Sequence, residues 1–509
     1  MDSTTYHKRT SYNRFHMTPH QLDWAHVPLL QKAYPGLPSR AMVPSQTLPD
    51  GSLEAVLGGH MTSDGWRPAC GFQDLSAILM MANGITAQRR YPGQTQFFRS
   101  SPSAGALYPN EIYVAVQDVA GLPSGLYNYQ VMDGALVELR KGHIKQQVKN
   151  TLTRGIGRSP AASLLITGIF FRSAWKYRAR AFRYVLLDAG HLIENLVLAA
   201  RVHGYRLSVH YDFDDLALAR LLGIDSKREA CLAVVNLYTR GGAEPGTQVE
   251  TGKEPLVLSE EMVNASRTST AEIHYDAIQD ACAAGHTVQH DKIADTQPFP
   301  VAGDTPREWF SIRADAEQNE ELRFAESVLK RRSRRNFVPA PMPISQAMYL
   351  MQSLCMHPDH ENDEGASNGR CMTPGFAAVN IEALDPGTYL LDAHQRAYGL
   401  ISGGSSGGDM ARVCLDQAWL KNGSLHFLFT ANLPLIDCHH GARGYRYAML
   451  NSGRAGQRIY LAASALGLGA CGIGAIYDDE ARQMLSLNGE SALLYLMAVG
   501  SVRKVEDNR

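Results

Sequence analysis

The sequence predicts two related halves, each combining helices with strands, that pair with one another within a single chain. Three observations predict this organisation: the chain has 509 residues, it contains an internal repeat, and a polar stretch separates the two copies. A chain of this length exceeds what one hydrophobic core usually organises. We therefore divide it into half one at 1–240, a connector at 241–319 and half two at 320–509.

The repeat is clearest in two stretches of 25 residues that align without gaps. Residues 180–204 read RAFRYVLLDAGHLIENLVLAARVHG, and residues 443–467 read RGYRYAMLNSGRAGQRIYLAASALG. Nine positions are identical, and the apolar spacing in both stretches predicts a helix. A short strand and an acidic pair follow each copy. Fusion of two copies would fix a pseudo-two-fold pairing of the halves. In the connector, a further helix is predicted near 270–285.

Composition excludes several classes of protein. The net charge of −1 argues against a nucleic-acid partner, since nucleic-acid binders usually carry a basic excess. The eight cysteines form no CxxC pair, so neither a zinc site nor a disulfide framework is indicated. The N-terminus lacks the apolar stretch of a secretory signal, and no run approaches the about 18 apolar residues of a membrane span. We therefore expect a cytoplasmic protein without membrane partners.

Two stretches of half two indicate an anionic ligand. Residues 329–337 read LKRRSRRNF, at the end of a helix predicted over 320–331. Neighbouring arginines repel one another, and their guanidinium groups suit a phosphate, although a solvated basic face is the alternative. Residues 471–477 read CGIGAIY, whose glycines allow the backbone to approach a ligand closely. The GxGxxG pattern at 467–472 follows a helix rather than a strand, so we do not interpret it as a dinucleotide motif.

Half one contains an unusual run of small residues before a predicted strand. Residues 99–113 read RSSPSAGALYPNEIY. A surface loop could have this composition without a function. A loop that lies flat against a planar ligand would need it.

Taken together, these stretches resemble the nitroreductase-like superfamily of FMN-dependent flavoproteins. More narrowly, SPSAGALYPNEIYV and WKYRARAFRYVLLDAGHLIENLVLAA are similar to its SagB/ThcOx-type dehydrogenase branch, which includes enzymes that oxidise azolines to azoles in modified peptides. The resemblance implies an α+β fold in which a central antiparallel sheet is wrapped by helices. It also implies a dimer with FMN in the interface. Here that dimer would be an intrachain pseudo-dimer, able to act as a monomer.

The resemblance implies a flavin site built from both halves. The phosphate would be held by an arginine element in half two, comprising Arg331, Ser333 and Arg335, with Arg503 as a weaker candidate. The flavin ring would be lined by a loop of half one, comprising Ser101, Pro102, Ser103, Ala104 and Gly105. A glycine turn of half two would lie beside the ring, and it comprises Gly472, Ile473 and Gly474.

The twin site, built from the other copy of each element, departs from the family pattern. Its phosphate element would be Arg9-x-Ser11-x-Asn13-x-Phe15, in which one arginine is replaced. CMTPGFAAVNIEAL stands at 371–384 in place of the small-residue loop, and LSVHYDF at 207–213 in place of the glycine turn. We therefore expect one functional FMN per chain. The alternative is two flavins, one of them loosely bound.

Lys176 and Tyr177 are the predicted catalytic residues, because a Lys-Tyr pair performs the proton step in the azoline-oxidising relatives. A lysine can act as a base when burial lowers its pKa. The alternative is an ordinary amphipathic lysine beside an aromatic residue. His191 is a second candidate, although a structural role in its helix explains it more simply. His439 and His440 stand near the repeat-equivalent place in half two.

Three functions remain open at this point. The first is an FMN-dependent dehydrogenase or oxidase acting on a peptide-derived or other natural-product substrate, with dioxygen reoxidising the flavin. The second is an NAD(P)H-dependent reductase of nitro or quinone compounds. The third is a non-catalytic flavin-binding scaffold. The Lys176-Tyr177 pair favours the first.

Overall fold

The computed structural model describes residues 1–17, 20–44, 51–59, 66–92, 94–153, 158–241, 260–288, 300–313, 322–356 and 371–503. The helices up to the end of half one are α1 Ser3–Arg9, α2 Leu53–Gly58, α3 Phe72–Asn83, α4 Lys145–Thr151, α5 Phe170–Tyr177, α6 Ala181–Val202 and α7 Asp215–Leu222. Those that follow are α8 Glu260–Asn264, α9 Asp276–Ala284, α10 Phe324–Lys330, α11 Ile344–Cys355, α12 Gly407–Val413, α13 Leu433–His440, α14 Gly444–Ala465 and α15 Asp478–Met484.

Strands of half one are β1 Ser39–Ala41, β2 Ile85–Tyr91, β3 Gln94–Arg99, β4 Asn110–Val116, β5 Gly125–Gln130, β6 Ala135–Lys141, β7 Ala162–Ile169, β8 Arg206–His210 and β9 Glu229–Tyr238. Those that follow are β10 Phe310–Ser311, β11 Thr373–Ala378, β12 Gly387–Asp392, β13 Ala397–Gly403, β14 Leu425–Asn432, β15 Gly469–Ile473 and β16 Ser491–Gly500. The predicted helices of both repeats, of the arginine element and of the connector are therefore confirmed, with shorter bounds than the sequence indicated.

Each half is organised around a seven-stranded antiparallel sheet. The first has the order β1-β6-β5-β4-β7-β9-β8, and the second has the order β10-β13-β12-β11-β14-β16-β15. The two orders correspond strand for strand, so the halves share one topology. This confirms the predicted α+β fold with two related halves. Strand β10 lies within the predicted connector, whose end therefore contributes the edge strand of the second sheet.

The two repeated helices, α6 and α14, pack against each other between the halves. Helix α6 is buried along almost its whole length, and its polar side chains are buried together with its apolar ones. Among the described helices, none combines the length and the apolar character that crossing a membrane requires.

The crossing of α6 and α14 is set by one glycine from each helix. A Cβ atom at Gly190 would lie 2.2 Å from the backbone oxygen of Leu450, and a Cβ atom at Gly453 would lie 2.2 Å from that of Leu187. Gly190 and Gly453 are equivalent positions of the repeat, as are Leu187 and Leu450. The contact is therefore self-complementary, as expected for a two-fold axis.

Buried ion pairs tie each long helix to the opposite half. In each case an aspartate of one half forms ion pairs with two arginines of the other half. One arginine lies just before the long helix, and the other lies in its first turn. The pairs are Arg180–Asp478, Arg183–Asp478, Arg443–Asp215 and Arg446–Asp215. Although burial alone would raise the pKa of Asp478, the charges of Arg180 and Arg183 hold it well below its ordinary value. If the halves were arranged differently, each of these groups would be a buried charge without its partner, which is strongly destabilising. The ion pairs therefore stabilise this arrangement of the two halves.

Replacing Gly453 with valine should destabilise the fold by about 1–3 kcal/mol or more, because the new side chain meets the backbone of α6. Thermal unfolding followed by circular dichroism measures the loss. Gly489→Ala is the control, since a Cβ atom there has nothing within 4 Å. An unchanged melting temperature for Gly453→Val would contradict the close crossing.

Candidate functional site

The arginine element of half two lies directly against the small-residue loop of half one. Arg331 donates from Nε to the backbone oxygen of Ser100 (2.7 Å) and from Nη2 to that of Arg99 (2.9 Å). These two carbonyls immediately precede the loop at residues 101–105. The structure thus brings together two segments that are more than 200 positions apart in the sequence.

Tyr460 of α14 links the arginine element to the glycine turn. Its hydroxyl lies 2.8 Å from Ser333 Oγ, and it accepts a hydrogen bond from the backbone N–H of Gly472 at 2.9 Å. The backbone N–H of Arg503 donates to the oxygen of Asn336 (3.2 Å), so Arg503 also lies beside the arginine element. Tyr460 was not among the predicted site residues, although it lies in the repeated helix.

Arg331 carries a buried charge with unused hydrogen-bonding capacity. Its side chain is almost fully buried, and burial lowers its pKa. Among the described residues, its Nη1 atom has no hydrogen-bond partner, and the charges that act most strongly on its pKa include no carboxylate. A buried cation of this kind favours an anionic partner. Arg335, by contrast, is exposed.

The half-one loop has an uncommon backbone conformation. Gly105 has a φ of +68°, and Ala106 and Tyr108 follow with +55° and +46°. For the two residues with side chains, this left-handed conformation costs about 1–2 kcal/mol each. A Cβ atom at Gly105 would lie 2.9 Å from the hydroxyl of Tyr177 and 3.4 Å from Nζ of Lys176. The loop therefore contacts both predicted catalytic residues, and glycine is needed at this position.

The serine hydroxyls of the half-one loop bind protein groups. Ser101 donates to Asn83 (2.8 Å), and Ser103 donates to Asp188 (2.6 Å). The backbone N–H of Ala104 also donates to Asp188. These groups fix the shape of the loop. Ser101 is buried, and the accessible part of the loop surface is formed by Pro102, Ser103, Ala104 and Gly105.

Lys176 and Tyr177, at the end of α5, have shifted pKa values that suit different roles. Burial and the nearby charge of Arg335 lower the pKa of Lys176. Burial and the charge of Asp188 raise the pKa of Tyr177 well above its ordinary value. Lys176 can thus exist as a free amine more readily than an exposed lysine. Tyr177 keeps its proton and remains a hydrogen-bond donor.

The glycine turn is closely surrounded by aromatic side chains. A Cβ atom at Gly472 would lie 1.7 Å from the hydroxyl of Tyr495, and one at Gly474 would lie 2.6 Å from the ring of Tyr184. Between them, Ile473 is buried. Among the described residues, the buried hydroxyl of Tyr184 has no hydrogen-bond partner. Because Gly472 and Gly474 have no side chains, the backbone of the turn can lie directly against its neighbours.

In the twin site, protein side chains occupy the place that corresponds to the glycine turn. Tyr211, at the repeat-equivalent position of Gly474, is fully buried and stacks on Tyr447 with ring centroids 6.0 Å apart. The Tyr447 hydroxyl donates to Asp212. His440 lies edge-on to Tyr447 at 5.5 Å, in the place that Tyr177 takes in the other site. The predicted divergence of the two sites is visible here as a tyrosine in place of a glycine.

The interpretation of residues 9–15 as the second phosphate element is wrong. By topology, the counterpart of the arginine element lies between α2 and α3, whereas residues 9–15 follow α1. Arg9 pairs with Asp280 at 3.7 Å, and Phe15 is 85% exposed. A short pattern of Arg, Ser and Phe is too frequent to identify such an element without its neighbouring helix.

His191 has the structural role that we considered the simpler one. Its ring nitrogens lie 3.0 Å from the Gln457 side-chain oxygen and 2.9 Å from the Tyr495 hydroxyl. Burial lowers the pKa of His191 to about 3, so it stays neutral. It links α6 to half two rather than exchanging protons with solvent.

Comparison with known proteins agrees with this architecture. The model of the nitroreductase family matches residues 72–237 and 376–501. These two regions together exceed half of the chain, and the chain belongs to the nitroreductase family. The crystal structure of a nitroreductase-like protein from Anabaena variabilis superimposes with a TM-score of 0.74 and 25% identity. The superposition covers 99% of this chain and 100% of the Anabaena variabilis chain.

Two curated relatives match part of the chain. The nitroreductase-like protein MJ1384 of Methanocaldococcus jannaschii is 27% identical over 190 residues, which are 37% of this chain and 94% of that protein. The trifolitoxin-processing protein TfxB of Rhizobium leguminosarum bv. trifolii is 30% identical over 141 residues. This match covers 26% of this chain and 38% of TfxB, so the chain spans well under half of that relative.

The lowered pKa of Lys176 predicts that it reacts with trinitrobenzenesulfonate faster than the exposed Lys421 at pH 8, because the reagent attacks the free amine. Peptide mapping by mass spectrometry gives both rates. Arg335→Ala should slow the reaction of Lys176 by raising its pKa and leave Lys421 unchanged. Equal rates for both lysines in the unsubstituted chain would contradict the assignment.

Proposed function

We propose that this chain is an FMN-dependent oxidoreductase of the SagB/ThcOx type that dehydrogenates a peptide-derived substrate. The observation that carries the proposal is the contact of Lys176 and Tyr177 with Gly105. A proton-transfer pair thus lies against the loop that, by resemblance, covers a flavin ring. The cationic arginine element from the other half contacts the same loop.

The residues present fit an FMN. Its phosphate needs cationic groups, and Arg331 offers a buried guanidinium nitrogen without a partner among the described residues. Arg335 and Arg503 are exposed nearby, which suits a dianionic group. Its planar ring needs backbone surfaces, which Gly105 and Gly474 offer. When bound, FMN supplies the acceptor for a hydride.

The side chains of half one would carry the proton step. Lys176 Nζ, as a free amine, would take the proton from the substrate carbon or nitrogen that is being oxidised. Tyr177 would stay protonated and donate a hydrogen bond that orients the substrate. Burial and the charge of Arg335, which both lower the pKa of Lys176, would favour the free amine before substrate binds.

One FMN per chain is part of the proposal. The buried, stacked side chain of Tyr211 stands where the other site has Gly474, which supports the loss of the twin site. The resemblance to TfxB, a protein named for processing trifolitoxin, supports a natural-product substrate.

Lys176→Met should keep bound FMN and lower kcat by about 10²–10⁴-fold, because it removes the base and retains the length of the side chain. The assay uses a synthetic peptide with one thiazoline and detects the loss of two hydrogens by mass spectrometry. Lys421→Met is the matched control and should turn over normally. Unchanged turnover by Lys176→Met would remove Lys176 from the mechanism, and failure of the unsubstituted chain to form the azole would contradict the substrate class.

A reductase of nitro or quinone compounds is the second candidate, favoured by the similarity to nitroreductase-like proteins over whole halves of the chain. Anaerobic mixing of the flavin-loaded chain with NADPH separates the two functions. Rapid bleaching of the flavin absorbance supports the reductase. Slow or absent bleaching supports the dehydrogenase.

A further inference from the structure

Asp188 of α6 is a buried carboxyl group bound to the half-one loop. Its Oδ2 accepts a hydrogen bond from the Ser103 hydroxyl at 2.6 Å, and both of its oxygens lie 3.2 Å from the backbone nitrogen of Ala104. The side chain is almost fully buried. The proposed catalytic role involves this residue only through the effect of its charge on the pKa of Tyr177, and the proposed phosphate site does not involve it.

Ser103 connects Asp188 to the end of the loop, where the backbone has positive φ angles. Ser103 Oγ also accepts a hydrogen bond from the backbone N–H of Tyr108 at 2.8 Å. Ala106 and Tyr108 both have positive φ, and a loop in this conformation needs external contacts to persist. Asp188, Ser103 and Tyr108 thus form a chain of hydrogen bonds across the turn that contains Gly105.

The repeat gives an internal comparison for this contact. Position 188 is equivalent to Asn451 in α14, which is also buried and lies 3.5 Å from the hydroxyl of Tyr211. In half two, most of the segment that stands before β11, as the half-one loop stands before β4, lies outside the described residues. The comparison therefore concerns the helix position alone, which has a carboxyl group in half one and an amide in half two.

We propose that Asp188 is a positioning residue that fixes the half-one loop for contact with the flavin ring, and that it acts on binding of the ring rather than of the phosphate. This inference rests on the proposed function. It assigns to the half-one loop a share of the affinity for the ring, beside the glycine turn of half two, and it assigns the affinity for the phosphate to the arginine element.

The electrostatic surroundings of Asp188 predict that the affinity for the flavin ring depends on pH. Burial raises its pKa to about 7, while the hydrogen bonds from Ser103 and Ala104 lower it. Because these bonds favour the ionised form, docking of the loop and ionisation reinforce each other. Tyr177 of α5 and Tyr495 of β16 interact electrostatically with Asp188, and burial raises both of their pKa values far above 7. Affinity for the ring should therefore rise as the pH rises through about 7.

The test compares FMN with riboflavin, which has the same ring and no phosphate. Dissociation constants are measured by quenching of flavin fluorescence with the full chain. Asp188→Ala should weaken both ligands by a similar factor of about tenfold or more, since it removes hydrogen bonds to a charged group. Asp188→Asn keeps one acceptor oxygen, so it should be intermediate and lose the pH dependence near 7. Arg335→Ala should weaken FMN far more than riboflavin.

Asn451→Ala is the matched control, because it alters the equivalent buried position and should leave both affinities unchanged. Melting temperatures without flavin show whether each variant folds. If Asp188→Ala does not fold, the same comparison is made with Asp188→Asn. Unchanged riboflavin affinity in a folded Asp188 variant would overturn this inference. So would a loss confined to FMN. If the unsubstituted chain binds neither flavin, the proposed function itself fails.

Discussion

The site depends on the close crossing of α6 and α14 at Gly190 and Gly453. With no side chain at either position, the two backbones come into direct contact. This approach places the end of α5 and the half-one loop against the arginine element and glycine turn of half two. Larger residues at the crossing would separate the elements that meet there. The geometry of the site is therefore a consequence of the pairing of the halves.

Charge reinforces the same pairing. Asp478 and Asp215 each bind two arginines from the opposite half, and all six groups are buried. A shifted or rotated arrangement of the halves would leave these charges without partners, at a cost of several kcal/mol for each ion. Apolar packing alone would tolerate such a shift more easily. The ion pairs thus select one arrangement, and the glycine crossing sets its distance.

Duplication within one chain lets the two sites diverge while the pairing is kept. The crossing glycines and the arginine–aspartate pairs are present in both copies. The groups that would touch a ligand differ: Gly474 corresponds to Tyr211, and Tyr177 corresponds to His440. Residues that hold the halves together are thus symmetric, and residues that would perform chemistry are not. We infer that pairing constrains both copies and that catalysis constrains one.

The sequence predicts the framework well because the repeat is long and its periodicity is regular. Both long helices, the helix before the arginine element and the two-half fold were predicted from such patterns. Hydrogen bonds across the interface were not predictable: the link from Arg331 to the backbone of Ser100, and the binding of Ser103 to Asp188, depend on the tertiary structure. Residues 9–15 were misinterpreted because a four-residue pattern carries little information without its neighbouring elements.

Native mass spectrometry of the chain, after incubation with excess FMN and removal of unbound flavin, counts the flavin sites. A single composite site between the halves predicts a mass increase that corresponds to one FMN per chain. A chain that retains no FMN, or one that retains two with equal affinity, would contradict it.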